Sequence, residues 1–289
     1  MQIEPYQIQS ANLHVEKKHA VSYTSYKTMK HYLTIASVVL ALTALISTSC
    51  SSAPEKPGSS QGRAAIIDQL YLLEPNPSFI TEATAILESG GFKVDLWQGQ
   101  QVTVDFYREL PKRGYSLIVL RVHSGLLLSM EESGVEPLKT TYLFTGETYT
   151  TTKYVSEQLT NKVSNAMMSE KYPLVFAINS EFIRKDCRGN FGNAAIVAMG
   201  CESYYLDDIA TAFIEKGACA YIGWSTLVSL EYVDTATLDL LGNLCTQNMT
   251  MAQAISRTMA DVGNDPYFNA YLKHYPVDIG GKNIKELIK

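Results

Sequence analysis

Cysteine is scarce in this chain, five in 289 residues, and none of the five sits in a C-x-x-C pair or beside a histidine at metal-ligand spacing. That pattern excludes a zinc site and a dense disulfide framework, so each cysteine must be judged alone. A basic excess is missing too: 24 Lys and Arg stand against 29 Asp and Glu, net −5, which gives no electrostatic case for a nucleic-acid partner. Neither G-x-G-x-x-G nor G-x-x-x-x-G-K-S/T occurs, so no phosphate-loop or dinucleotide cofactor is expected. Internal repeats are absent. There is only one long apolar run, Leu33 to Ile46, which excludes a multi-span membrane protein. With 46% hydrophobic and 18% charged residues, the composition is that of a globular chain able to bury a sizeable core.

The apolar run follows Lys27, Lys30 and His31 and precedes Ser47-Thr48-Ser49-Cys50. It is shorter than the roughly 20 residues a membrane span needs, and it fits the 7 to 15 of a secretory h-region behind a basic flank. Residues 1–49 are therefore expected to be a targeting segment. Met29-Lys30-His31 with the apolar run makes a compact signal of normal proportions, which offers Met29 as an alternative start. Cys50 after three small polar residues resembles the lipidated cysteine of bacterial lipoprotein signals, although Ser47 stands where an aliphatic residue is usual. The resemblance implies an extracytoplasmic lipoprotein held to the membrane through its N-terminal lipid. Residues 50–62, rich in Ser, Pro and Gly, read as a flexible tether.

From residue 63 to 289 the pattern is that of one α/β domain. Apolar runs at Ala64–Leu73, Phe92–Trp97, Tyr115–Val122, Ala194–Met199 and Ala218–Gly223 read as strands. Amphipathic stretches lie between them: one after Asn76-Pro77 and ending at Gly90-Gly91, one over Val104–Lys112, one over Tyr204–Lys216. Such alternation implies a doubly wound, mainly parallel sheet with helices on both faces. Residues 124–193 break the rhythm and read as an insertion, with strands at Thr141–Thr145 and Leu174–Ile178 around a helix over Tyr154–Met168. Helices over Asp234–Leu244 and from Thr250 close the domain. Thr250 with Gln253 three on is a capping-box pattern, which explains Thr250 better than the glycosylation sequon Asn248-Met249-Thr250 does.

In an open parallel sheet ligands bind beyond the carboxyl ends of the strands. LIVLRVHSG puts His123 at one such end and AAIVAMGCES puts Cys201 at another. If the two strands are neighbours, imidazole and thiol leave the sheet on one edge as a dyad. The thiol would need an electropositive setting to become a nucleophile, expected from the N-terminus of the helix that follows it. Cys219 inside a strand and Cys245 on a helix face read as core, and Cys187, in a polar loop where it is free or paired, has no nearby histidine.

At these residues the chain resembles the caspase-like, or clan CD, cysteine peptidases, the broad group that holds caspases, legumain, clostripain, gingipains and separase, with CHAT domains alongside. The motifs are a hydrophobic strand ending in His, one ending in Cys that reads MGCES, and a strand reading CAYIGW. The resemblance implies a caspase-like fold, a cysteine endopeptidase with His123 as base and Cys201 as nucleophile, and an oxyanion hole from backbone amides of Ser124, Gly125 and Cys201. Two features depart from that group: Ser124 rather than Gly follows the histidine, and the His–Cys separation exceeds the roughly 50 residues of caspases. Glu202 and Asp234 are substrate-pocket candidates, because an acidic rim would favour a basic side chain before the scissile bond. The expected partner is a peptide or protein substrate. The other reading is a caspase-like module without turnover that binds or scaffolds at the cell surface.

Overall fold

A computed structural model describes residues 8–9, 62–128 and 139–289. The expected signal and Cys50 anchor lie outside the described residues, apart from Ile8–Gln9. Among the described residues no helix is long and apolar enough to cross a membrane.

Eleven strands are described: β1 Ile8–Gln9, β2 Gly62–Asp68, β3 Phe92–Gln98, β4 Tyr115–Arg121, β5 Ser124–Leu128, β6 Lys139–Thr148, β7 Val163–Met167, β8 Val175–Asn179, β9 Ala195–Ala198, β10 Ala220–Trp224 and β11 Leu272–Tyr275. The helices are α1 Pro77–Ser89, α2 Val104–Glu109, α3 Val155–Leu159, α4 Ser180–Lys185, α5 Asp208–Glu215, α6 Leu230–Leu241, α7 Met251–Val262 and α8 Ile284–Leu287. The first sheet has the order β11-β10-β9-β4-β2-β3, parallel throughout except for β11 against β10. All five apolar runs enter it. Both its faces are covered, which is why its strands are near-continuous apolar runs. Alternate residues divide between two cores. Ile66, Leu117, Val119 and Val197 pack with Phe79 and Leu87 of α1 and Leu240 of α6, while Ile67, Ile118, Leu120 and Ile196 pack with Phe106 of α2 and Phe213 of α5.

Local chemistry sets the boundaries. The first run stops being a strand at Asp68, whose carboxylate accepts the Tyr71 amide at 3.1 Å and starts the 3-10 turn Gln69–Leu72. Asn76 caps α1 through the Phe79 amide, and Thr250 and Gln253 close the expected capping box on α7. The helix expected from Tyr204 starts later, at Asp208, and Cys201–Asp207 form a turn.

The insertion, joined by β1 from within the segment expected to be a targeting signal, builds a second sheet ordered β1-β7-β8-β6-β5, with β1 parallel to β7 and the remaining pairs antiparallel. The helix expected over Tyr154–Met168 is corrected here: only Val155–Leu159 is helical and Val163–Met167 is a strand. Between them Asn161 takes φ 55, a left-handed conformation that ends the helix. Val155 and Leu159 are exposed while Val163 and Ala166 are buried, so the apparent stripe joins two elements that face different surroundings.

Candidate active site at the junction of the sheets

β4 and β9 are parallel neighbours, and their register sets Leu120 opposite Ala198. Three residues further along each strand come His123 and Cys201, at the carboxyl edge as expected. The two residues line one cavity of about 60 Å³, together with Leu70, Val122, Met199 and Val228.

His123 stands where the chain leaves the first sheet for the second, between the end of β4 and the start of β5. Its amide donates to the Gln69 side-chain oxygen at 2.9 Å and its carbonyl accepts the Phe144 amide at 2.9 Å. The backbone is thus held by the turn after β2 and by β6. The ring lies 5.8 Å from that of Phe144, and Nε2 is enclosed with no hydrogen-bond partner. Burial, with the Arg121 guanidinium adding to it, pushes the imidazole down to about 4. It is neutral at neutral pH, with one nitrogen available as a proton acceptor.

Cys201 does not meet a helix N-terminus; α5 begins seven positions later, and the turn in between removes the expected dipole from the sulfur. Instead Sγ lies against Val228, donating to its carbonyl at 3.4 Å and facing its amide at 3.5 Å. Burial raises the thiol above its ordinary value, the Val228 amide opposes this, and the negative Glu202 and Asp265 add to the rise. The resting pair is therefore thiol and neutral imidazole, with no preformed ion pair.

The three expected oxyanion donors separate. The Phe144-to-His123 bond fixes the alternation along the β5–β6 pair, and Gly125 opposite Tyr142 falls in a hydrogen-bonded pair, so its amide is committed to β6. By the same alternation the Ser124 amide points away from β6. The Cys201 amide donates to no other described residue and faces its own sulfur.

The acidic rim is corrected at Asp234. That carboxylate is buried at 6% exposure and is taken up by Arg121, Nε to Oδ1 at 2.8 Å and Nη2 to Oδ2 at 2.9 Å, with Asn76 donating at 2.9 Å. Arg121 also pairs with Asp68 at 2.8 Å. Asp234 is thus part of a buried ion network and does not face a substrate. Glu202 is half-buried, pushed up by burial against a hydrogen bond from the Leu126 amide. Cys187 and Cys245 are buried, Cys219 is half-buried, and burial pushes all three up to about 12.

The sequence reading passed over Gln69, Arg121 and Val228. Asp68-Gln69 in the middle of an apolar run and Arg121 at the end of another were the available signals, being polar residues at strand ends. Val228 carried none. Among the described residues no group of three or more His, Cys, Asp or Glu is arranged to hold a metal ion. Comparison with protein-family models finds no match, and comparison with curated proteins finds none either.

Proposed function

We propose that this chain is a cysteine endopeptidase of caspase-like type, exported and tethered to a membrane through a lipid on Cys50. The observation that carries the reading is the placement of His123 and Cys201 three residues beyond a paired position on adjacent parallel strands, lining one cavity. As Sγ attacks a peptide carbonyl, His123 Nε2 takes the thiol proton. The Cys201 amide, with that of Ser124 as the second expected donor, would meet the oxyanion. Collapse breaks the C–N bond, His123 returns the proton to the leaving amine, and water then hydrolyses the thioester. Because imidazole and thiol start neutral, proton transfer accompanies attack instead of preceding it. With Asp234 engaged by Arg121, a preference for basic side chains would rest on Glu202 alone.

The test is hydrolysis of a fluorogenic peptide set by the wild-type chain, Cys201→Ala and His123→Ala. Loss of nearly all turnover in both variants is expected, since nucleophile and base act as a unit. Turnover that survives Cys201→Ala would reject the reading. The anchor is tested separately: Cys50→Ser should move the protein from the membrane to the soluble fraction, and an intact N-terminus ahead of residue 50 on mature protein would reject it.

A second reading, a binding or scaffold module without turnover, is favoured by two observations. The thiol is bonded to Val228 and not to the imidazole, and the cavity holds only about 60 Å³. A folded wild type that hydrolyses no member of the peptide set and takes no peptidyl electrophile at Cys201 would support it.

A further inference from the structure

We propose that the hydroxyl of Ser124 is a positioning group for the nucleophile turn, clamping the Cys201–Glu202 peptide so that the thiol and the Cys201 amide keep their place at the cavity. The proposal rests on Cys201 being the nucleophile, and it assigns to the Ser124 side chain a role separate from that of its amide.

Four observations converge on this peptide. Ser124, 3% exposed, donates from Oγ to the Cys201 carbonyl at 2.5 Å. The amide at the other end of the same peptide, that of Glu202, donates to the Thr226 carbonyl at 2.9 Å. Glu202 itself takes φ 54, a left-handed conformation that a residue with a side chain holds only when its surroundings over-determine it. Its carboxylate is in turn tied to the Leu126 amide, two residues along β5 from Ser124. The peptide is therefore fixed at its carbonyl, at its amide and through the side chain that follows.

Gly200 makes room for the clamp. A methyl group at position 200 would collide with the Ser124 hydroxyl and the Val122 carbonyl, so the space next to the nucleophile is filled from the neighbouring strand. The residue directly after the histidine is usually Gly in the peptidases this chain resembles, and a glycine there has no hydroxyl to give. Here the carbonyl of the nucleophile residue is held by a side chain that starts the second sheet. The base and the clamp are consecutive residues, so any shift of β5 moves both together.

The clamp has a signature that general destabilisation lacks. Releasing the turn should free Sγ from Val228 and expose it to a small reagent while spoiling its aim at a peptide. Ser124→Ala in the full chain is therefore expected to speed iodoacetamide capture of Cys201, mapped by mass spectrometry, at least threefold. The same variant should lower kcat for peptide hydrolysis at least tenfold, with KM within threefold. Ser124→Gly is the second variant and should behave alike; unfolding midpoints identify any variant that fails to fold. Capture and kcat both within twofold of wild type in a folded variant would overturn the proposal, as would both falling together. If the wild-type chain hydrolyses no peptide, the peptidase reading fails by itself, and the capture rate alone decides the clamp: unchanged capture rejects it.

Discussion

The two sheets meet at His123 and obey different rules. The first is parallel over all pairs but one, is covered by helices on both faces, and takes its strands from apolar runs separated by amphipathic helices. The second is antiparallel in all but its β1–β7 pair, draws every strand except β1 from the insertion, and contains polar residues in its buried strands, such as Asn165, Asn179 and Thr145. The first sheet carries Cys201 beyond β9, and the second opens with Ser124 and its clamp on the Cys201 carbonyl. The comparison teaches that the insertion is part of the site's construction and not an appendage: β5 begins one residue after His123, and Phe144 of β6 holds the His123 carbonyl.

The largest effect expected from breaking one side of this comparison concerns the buried ion network under the first sheet's carboxyl edge. Arg121→Met leaves Asp68 and Asp234 buried without their partner and should cost about 3–5 kcal/mol in urea unfolding. A loss under about 1 kcal/mol would show that the network does not hold this edge together.

The junction itself should show in acid. The imidazole of His123 sits at about 4 in the folded chain against an ordinary 6.5, so the unfolded chain binds that proton first. Stability is then lost as pH falls from 6.5 toward 4, by about 3 kcal/mol at most. Glu202, raised by burial, works with the opposite sign above its ordinary 4.5, and Asp95 and Asp265, whose hydrogen bonds outweigh burial, add losses only below 3.8. The informative quantity is the difference between wild type and His123→Gln, whose stability should fall less across that window. Parallel stability curves would contradict a buried neutral imidazole.

A smaller effect sharpens the account of the second sheet. Asn161 at φ 55 separates α3 from β7, so Asn161→Ala should cost about 1 kcal/mol, while Asn161→Gly should stay within about 0.5 kcal/mol of wild type. Equal losses in both would mean that the side chain, and not the left-handed backbone, is what matters.

How far each region could be read from sequence follows the same division. Periodicity with Gly stops located all five parallel strands, because each apolar run is bounded by a cap or a left-handed glycine, as at Gly91, Gly114 and Gly217. It also located His123 and Cys201, since strand ends follow from strand positions. The insertion was legible only in β6 and β8. Val155, Leu159, Val163 and Met167 recur at helical spacing across a turn, and nothing in the spacing registers the break at Asn161. β11, with its short sequence LKHY, was missed for lack of an apolar pattern. The electrostatics of the site were not legible, because they depend on which groups meet: Asp234 is taken up by Arg121 from another element, and the sulfur's neighbour is Val228 from a distant loop.

The most direct test of the central claim, that His123 and Cys201 work as one unit across this junction, is the rate of covalent capture of the wild-type chain by a peptidyl electrophile, with the adduct mapped by mass spectrometry. A single adduct on Cys201 is expected, absent in Cys201→Ala and formed at least a hundredfold more slowly in a folded His123→Ala. Capture of Cys201 at the same rate with and without His123, or no faster than capture of the half-buried Cys219, would contradict it.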